Sequence, residues 1–227
     1  MGAPTLQEIV QQAQAWDFLH NLPAVLGQFQ KKDEATIEGQ LVHLCCYEAP
    51  KLKAKVDLLY TTETFDYILV RSLGMNIYRD ISLIYRDKDD FATMVEKNLP
   101  HILHTMEHPE EVNLGEMVKN KAILTWTYGN NLPATIGPFQ LYIRPEKAIE
   151  HINGSIILVD YTDFARQDQF VLYYNRLRNE FFAETKIAGV FHATRDFDAT
   201  TLPSLEKKLT EHLETTLTAI SNASHNI

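Results

Sequence analysis

The sequence predicts an α+β protein built on a mainly antiparallel sheet flanked by long amphipathic helices. Three observations carry that expectation. Runs with strand-like alternation follow one another over residues 37–86 and again over 122–160, with no helix between consecutive strands of a group. Stretches with apolar residues every three or four positions stand before, between and after these groups. Strands met in direct succession pair as antiparallel neighbours, whereas a parallel sheet needs a crossover between each two.

The elements follow in order. Thr5-Leu6-Gln7-Glu8 has the form of a capping box, and Leu6, Ile9, Val10, Ala13 and Trp16 continue at helical spacing. Pro23 interrupts this helix, and Asn21 is placed to cap a short continuation to about Lys31. From Ile37 the pattern changes: Val42, Leu44 and Cys46 alternate with Leu41, His43, Cys45 and Tyr47, as in a strand covered on both faces. Strand-like runs follow at Lys55–Thr61, Phe65–Ser72 and Asn76–Arg86, with Gly74 at a hairpin turn. A helix begins near Asp89 or Asp90 with Phe91, Met94, Val95, Leu99, Ile102 and Met106 on its apolar stripe. Pro100 is expected to kink or restart it, with Asn98 as a new cap. Residues 110–119 read as a short helix. Strands return at Ala122–Tyr128, Pro138–Arg144 and Ser155–Asp160. Asp163 stands where a cap would open a long helix to about Lys186, with Phe170, Val171, Tyr174, Leu177 and Phe181 inward. Gly189–Phe197 is a last strand, and Pro203 opens a last helix carrying Leu205, Leu209, Leu213, Leu217 and Ile220.

No stretch rich in Gly, Ser or Pro and no block of like charge marks a linker, so residues 1–227 are expected to form a single continuous α+β domain. Within it, Leu83-Ile84-Tyr85 leads to Asp90-Phe91-Ala92 much as Leu158-Val159 leads to Asp163-Phe164-Ala165. That parallel suggests two βββα-like pseudo-repeat halves, 37–108 and 121–187.

Charge and composition narrow the function classes. The formal net charge is −9, with no basic stripe, so a nucleic-acid partner is not expected. The first residues lack a basic segment followed by an apolar one. No apolar run, Ile156-Ile157-Leu158-Val159 among them, approaches the ~20 residues that span a bilayer, so no membrane partner is expected. The two adjacent cysteines, Cys45 and Cys46, read as reduced packing residues of a cytoplasmic protein.

Four constellations could carry chemistry. His101, His104 and His108 have metal-ligand spacing, but they lie opposite the apolar stripe of their helix, and so on a solvated face. His43 and Cys45 share a strand face at nearly 7 Å, given ~3.3 Å rise per residue, too far for a direct bond. Asp160, Asp163, Asp196 and Asp198 sit at strand ends and turns, where carboxylates are ordinarily solvated. Finally, Trp126 and Tyr128 share one predicted strand face while Tyr142 and Arg144 share another. Were those faces to coincide, the four would form an aromatic floor with one cation, suited to a small anionic ligand. Phosphate-loop, dinucleotide-binding, nucleophile-elbow and zinc-protease motifs are missing, and no cofactor is expected.

The reading that results is a non-catalytic binding or interaction protein, chaperone-like or regulatory, with a protein partner or a small anionic ligand. An enzyme or small-molecule sensor with a pocket between sheet and helices is the alternative. A homodimer is expected because the helix at 163–186 carries Leu172, Tyr173 and Phe182 partly outside its main stripe, more apolar surface than one sheet face can cover.

Overall fold

A computed structural model of the chain describes residues 4–33, 35–151 and 154–224. It is α+β with two antiparallel sheets, one in each of two compact units, Met1–Glu107 and His108–Ile227. Among the described residues no helix is long and apolar enough to cross a membrane.

Unit 1 opens with α1 (Leu6–Gln14) and α2 (Asp17–Asn21). The capping box forms: the Thr5 hydroxyl accepts from the Glu8 amide at 3.3 Å, and the Glu8 carboxylate accepts from the Thr5 amide at 2.7 Å. The strands are β1 (Val25–Leu26), β2 (Phe29–Lys32), β3 (Thr36–Glu38), β4 (Leu41–Ala49), β5 (Ala54–Thr61), β6 (Asp66–Leu73) and β7 (Asn76–Tyr85). They are followed by α3 (Lys88–Glu107). The sheet order is β1-β2-β4-β5-β6-β7, with β3 also on β4. Phe91, Val95, Leu99, Ile102 and Met106 of α3 are buried, and α3 packs on β6 and β7.

Unit 2 repeats this plan. It holds α4 (Glu116–Asn120), α5 (Thr127–Asn130), β8 (Thr135–Ile136), β9 (Phe139–Ile143), β10 (Ile149–Glu150), β11 (Ser155–Asp163), β12 (Asp168–Asn175), β13 (Glu180–Ile187), β14 (Val190–Ala199) and α6 (Leu202–Ser224). The order is β14-β13-β12-β11-β9-β8, with β10 on β11. Leu205, Leu209, Leu213, Leu217 and Ile220 of α6 join Phe170, Leu172, Tyr174, Phe181 and Phe197 in one core.

The correspondence is residue for residue. β11 begins at Ser155 where β4 begins at Leu41, an offset of 114, and the same offset relates β12 to β5, β13 to β6, β14 to β7 and the start of α6 to that of α3. The bulge at Leu44 in β4 recurs at Leu158 in β11. Left-handed turn residues recur too: Lys53 with Gln167, Phe65 with Asn179, Gly74 with Ala188. Ahead of β4 the offset is 110, through β1 and β8 and the starts of β2 and β9. Leu22-Pro23-Ala24 matches Leu132-Pro133-Ala134, and Trp16 matches Trp126. The Tyr47 hydroxyl donates to the Pro23 carbonyl and the Tyr161 hydroxyl to the Pro133 carbonyl, both at 2.6 Å. The two Asp-Phe-Ala segments do not correspond: Asp90 lies in α3, whereas Asp163 ends β11.

Four sequence expectations need correction. The helix over 163–186 is a hairpin of strands. The Asp163 carboxylate accepts from the Ala165 and Arg166 amides and so closes a turn instead of capping a helix, and Gln167 takes a φ of 61° there. Phe170, Leu172 and Tyr174 face α6 while Val171 and Tyr173 face away. A run apolar on both faces satisfies the helical and the strand period alike, and β-branched and aromatic residues tip it to strand. The aromatics that seemed surplus on a helix are divided between two strand faces, which removes the basis on which a dimer was expected. Asn21 ends α2 instead of capping a continuation to Lys31, and residues 25–32 form the β1–β2 hairpin, turned at Gly27 with φ 58°. Ala122–Tyr128 is a turn leading into α5, not a strand. The helix α3 runs through Pro100 without restarting, and the Asn98 amide donates to the Met94 carbonyl at 2.7 Å instead of capping a new helix.

Candidate ligand-binding site

The four residues expected to form an aromatic floor are not brought together. Trp126 and Tyr128 sit at the start of α5 and stack at 5.8 Å. They dock α5 on α6: the Trp126 indole donates to Glu206 at 2.6 Å, and the Tyr128 hydroxyl lies 2.9 Å from that of Thr210. Arg144 donates to the carbonyls of Asn130 and Leu132 at 2.9 and 3.3 Å and so holds the C-terminal end of α5. Tyr142 belongs to the opposite face of the sheet, edge-on to Phe164 at 5.6 Å.

The other constellations also come apart. The bulge at Leu44 sets His43 opposite Leu59 and Cys45 opposite Leu58, so the two side chains leave the strand on opposite faces. His43 lies 3.4 Å from Asp57 and 3.2 Å from Glu38. Burial pushes the Cys45 thiol up to about 12 and the half-buried Cys46 thiol to about 11, so neither is a nucleophile at neutral pH. Asp160 is fully buried and accepts from Thr162 at 2.6 Å and Gln169 at 2.9 Å. His101 and His104 are exposed on α3, and His108 follows its end. Among the described residues no three His, Cys, Asp or Glu side chains are grouped as metal ligands.

The structure offers instead a concavity of about 620 Å³ within unit 2, on the sheet face turned away from α6. Strand alternation builds its floor. Tyr173 of β12 and Phe182 of β13 are direct cross-strand partners and stack at 4.9 Å with only 14° between planes. His151 lies edge-on to Tyr173 at 5.9 Å. Burial drives the Tyr173 phenol well above its ordinary range, assisted by the nearby Glu184 and Asp160 carboxylates and by its bond to Glu184. The phenol is therefore a donor at all physiological pH, and Glu184 is its acceptor. The wall comes from an irregular edge strand. Ala183 pairs with Thr194 and Phe181 with Ala199, so residues 195–198 arch opposite the single residue Phe182. That arch carries Arg195 and Asp198, both exposed and both lining the concavity. Arg178 and Glu180 complete the rim as an ion pair at 3.4 Å.

The equivalent place in unit 1 has different chemistry. At the 114 offset, Ser155, Tyr173, Phe182, Glu184, Arg195 and Asp198 correspond to Leu41, Leu59, Ile68, Val70, Ile81 and Ile84. All six are aliphatic, and five of them form or border one apolar cluster. The same strand framework thus accepts aliphatic side chains at every one of these positions.

The sequence shows Asp198 at a turn, and Tyr173 and Phe182 as aromatics without a place. It did not join them, because the supposed helix at 163–186 separated residues that β12, β13 and β14 bring side by side. The detectable signal was the recurrence of Leu44 and Tyr47 at Leu158 and Tyr161, and of Leu58 and Tyr60 at Leu172 and Tyr174, an offset of 114 that exposes the six replacements. Comparison of the chain with protein-family models, curated proteins and solved structures finds no match.

Proposed function

We propose that this chain is a non-catalytic binding protein and that unit 2 takes a small ligand in the concavity floored by Tyr173 and Phe182. One observation carries the reading: six positions that are aliphatic in unit 1 are polar or aromatic in unit 2, and they gather around one cavity. Glu184 is half-buried beside Tyr173, where a carboxylate costs desolvation that an aliphatic side chain avoids, so the fold alone gives no reason for it. A cavity of this size lies in the range of small-molecule sites. The protonated state of both thiols supports binding over nucleophilic catalysis, and two free cysteines suit a reducing, cytoplasmic compartment. The test is a ligand-observed NMR screen of a chemically diverse metabolite set against the whole protein and Arg195→Ala. Compounds bound by the first and lost by the second are expected. An empty screen, or compounds held equally by both, sinks the site, and turnover of a bound compound replaces binding with catalysis.

A second reading rests on the sheet edges. Ile77 and Ile81 on β7 and Val190 and Phe191 on β14 are large, apolar and 61–84% exposed on terminal strands of their sheets. Such edges suit a protein partner or a second copy of this chain. Light scattering at micromolar concentration tests the homodimer. A mass near 26 kDa at every concentration excludes it.

A further inference from the structure

We propose, resting on the concavity as the binding site, that its ligand is a zwitterion: an ammonium and a carboxylate joined by an apolar body, the chemistry of an amino acid or short peptide. Five formally charged side chains line the cavity: Arg178, Arg195, Glu180, Glu184 and Asp198. Arg178 and Glu180 neutralise one another at 3.4 Å. Arg195 is left facing a ligand together with Glu184 and Asp198.

This set of charges discriminates. A purely anionic ligand meets two carboxylates, and a purely cationic one meets the guanidinium. Only a ligand with both signs finds a complement for each end, and like-charge juxtaposition is what rejects the others. Arg195 matches a carboxylate in bidentate geometry. Glu184 accepts one bond from Tyr173 and keeps further lone pairs for an ammonium, with Asp198 as a second acceptor. The stacked Tyr173–Phe182 pair supplies a flat apolar floor for the body of the ligand. In unit 1 the counterparts Leu59, Ile68, Val70, Ile81 and Ile84 present none of these groups, so the property belongs to unit 2.

The experiment is calorimetric titration of the whole protein with phenylalanine and phenylalanyl-phenylalanine, beside two blocked forms of each. The N-acetyl derivative lacks the ammonium and the C-terminal amide lacks the carboxylate. The zwitterions should bind at least ten-fold more tightly than either blocked form. Arg195→Gln should weaken the zwitterions about ten-fold and leave the amides unchanged. Glu184→Gln combined with Asp198→Asn should weaken the zwitterions and leave the N-acetyl forms unchanged. Tighter binding of the dipeptide identifies a short peptide, and tighter binding of phenylalanine identifies a free amino acid. A blocked form that binds as well as its zwitterion, yet is still weakened by Arg195→Gln, overturns the zwitterion and leaves the site standing. Failure of all six compounds also overturns it, whereas failure of the binding site itself shows as an empty metabolite screen.

Discussion

One tyrosine holds the entry of each unit's sheet. Tyr47 and Tyr161 are fully buried along their rings and place their hydroxyls on the carbonyls of Pro23 and Pro133. Tyr161→Phe leaves the Pro133 carbonyl without that donor, and loss of a part-buried hydrogen bond costs about 1–2 kcal/mol. Chemical denaturation should show that loss. The same residues make the protein sensitive to alkali. Burial pushes the Tyr161 phenol up to about 12 against the opposing pull of Arg144, and Tyr47, Tyr60, Tyr67, Tyr173 and Tyr174 shift in the same direction for the same first cause. A phenol that keeps its proton in the folded state after the unfolded chain has released it stabilises the fold fully below about pH 10, the ordinary phenol value. That stability is lost as the pH rises towards 12. Absorbance at 295 nm should therefore show the buried tyrosines ionising together with unfolding. Smooth, reversible titration of every phenol near pH 10 in the folded protein would contradict this.

At the scale of the element, hairpins with matched turns position the strands. Glycine at position 74 takes a φ of 60° without strain, whereas its counterpart Ala188 takes 47° with a Cβ in the way. The left-handed region costs an alanine roughly 1–2 kcal/mol, partly offset by the entropy a glycine adds to the unfolded chain. Ala188→Gly should therefore stabilise unit 2 by up to about 1 kcal/mol, read as a rise in the denaturation midpoint, and Gly74→Ala should destabilise unit 1. A midpoint lowered by Ala188→Gly would show that the turn is not held as described. The edge strands β7 and β14 share a further device: each is interrupted by an arch, between Arg79 and Ile84 and between Thr194 and Ala199. An arch spoils the regular edge that promotes strand-to-strand aggregation. In unit 2 the arch also delivers Arg195 and Asp198 to the concavity.

On the scale of the whole molecule, each unit has its own sheet and its own C-terminal helix packed on that sheet. Residues 1–107 and 108–227, expressed separately, should each show native-like circular dichroism and cooperative unfolding. Fragments that remain unfolded while the whole chain folds would show that neither core suffices. Only the 108–227 fragment should then bind the ligands of the intact protein.

Much of this was written locally. The capping box at Thr5, the stripe of α3 and the leucine repeat of α6 are readable because each obeys one period, and the three strands from Lys55 to Tyr85 because turn residues bound short runs. The class, α+β with antiparallel sheets, follows from their order. The stretch from Asp163 to Lys186 was not readable, because Phe170 to Tyr174 is apolar at every position and fits two periods at once. An aspartate that binds two following amides looks the same whether a helix or a turn comes next. Pairing between β12, β13 and β14 settled the choice, since burying both faces of such a run needs neighbouring strands on either side. The site depended on the same pairing. Tyr173, Phe182 and Arg195 are neighbours only across a ladder, and the arch that aims Arg195 inward exists only as a mismatch in register between two strands. Side chains and their spacing determine periods, caps and turns. Which faces meet, and so which side chains share a cavity, is a property of the assembled sheet.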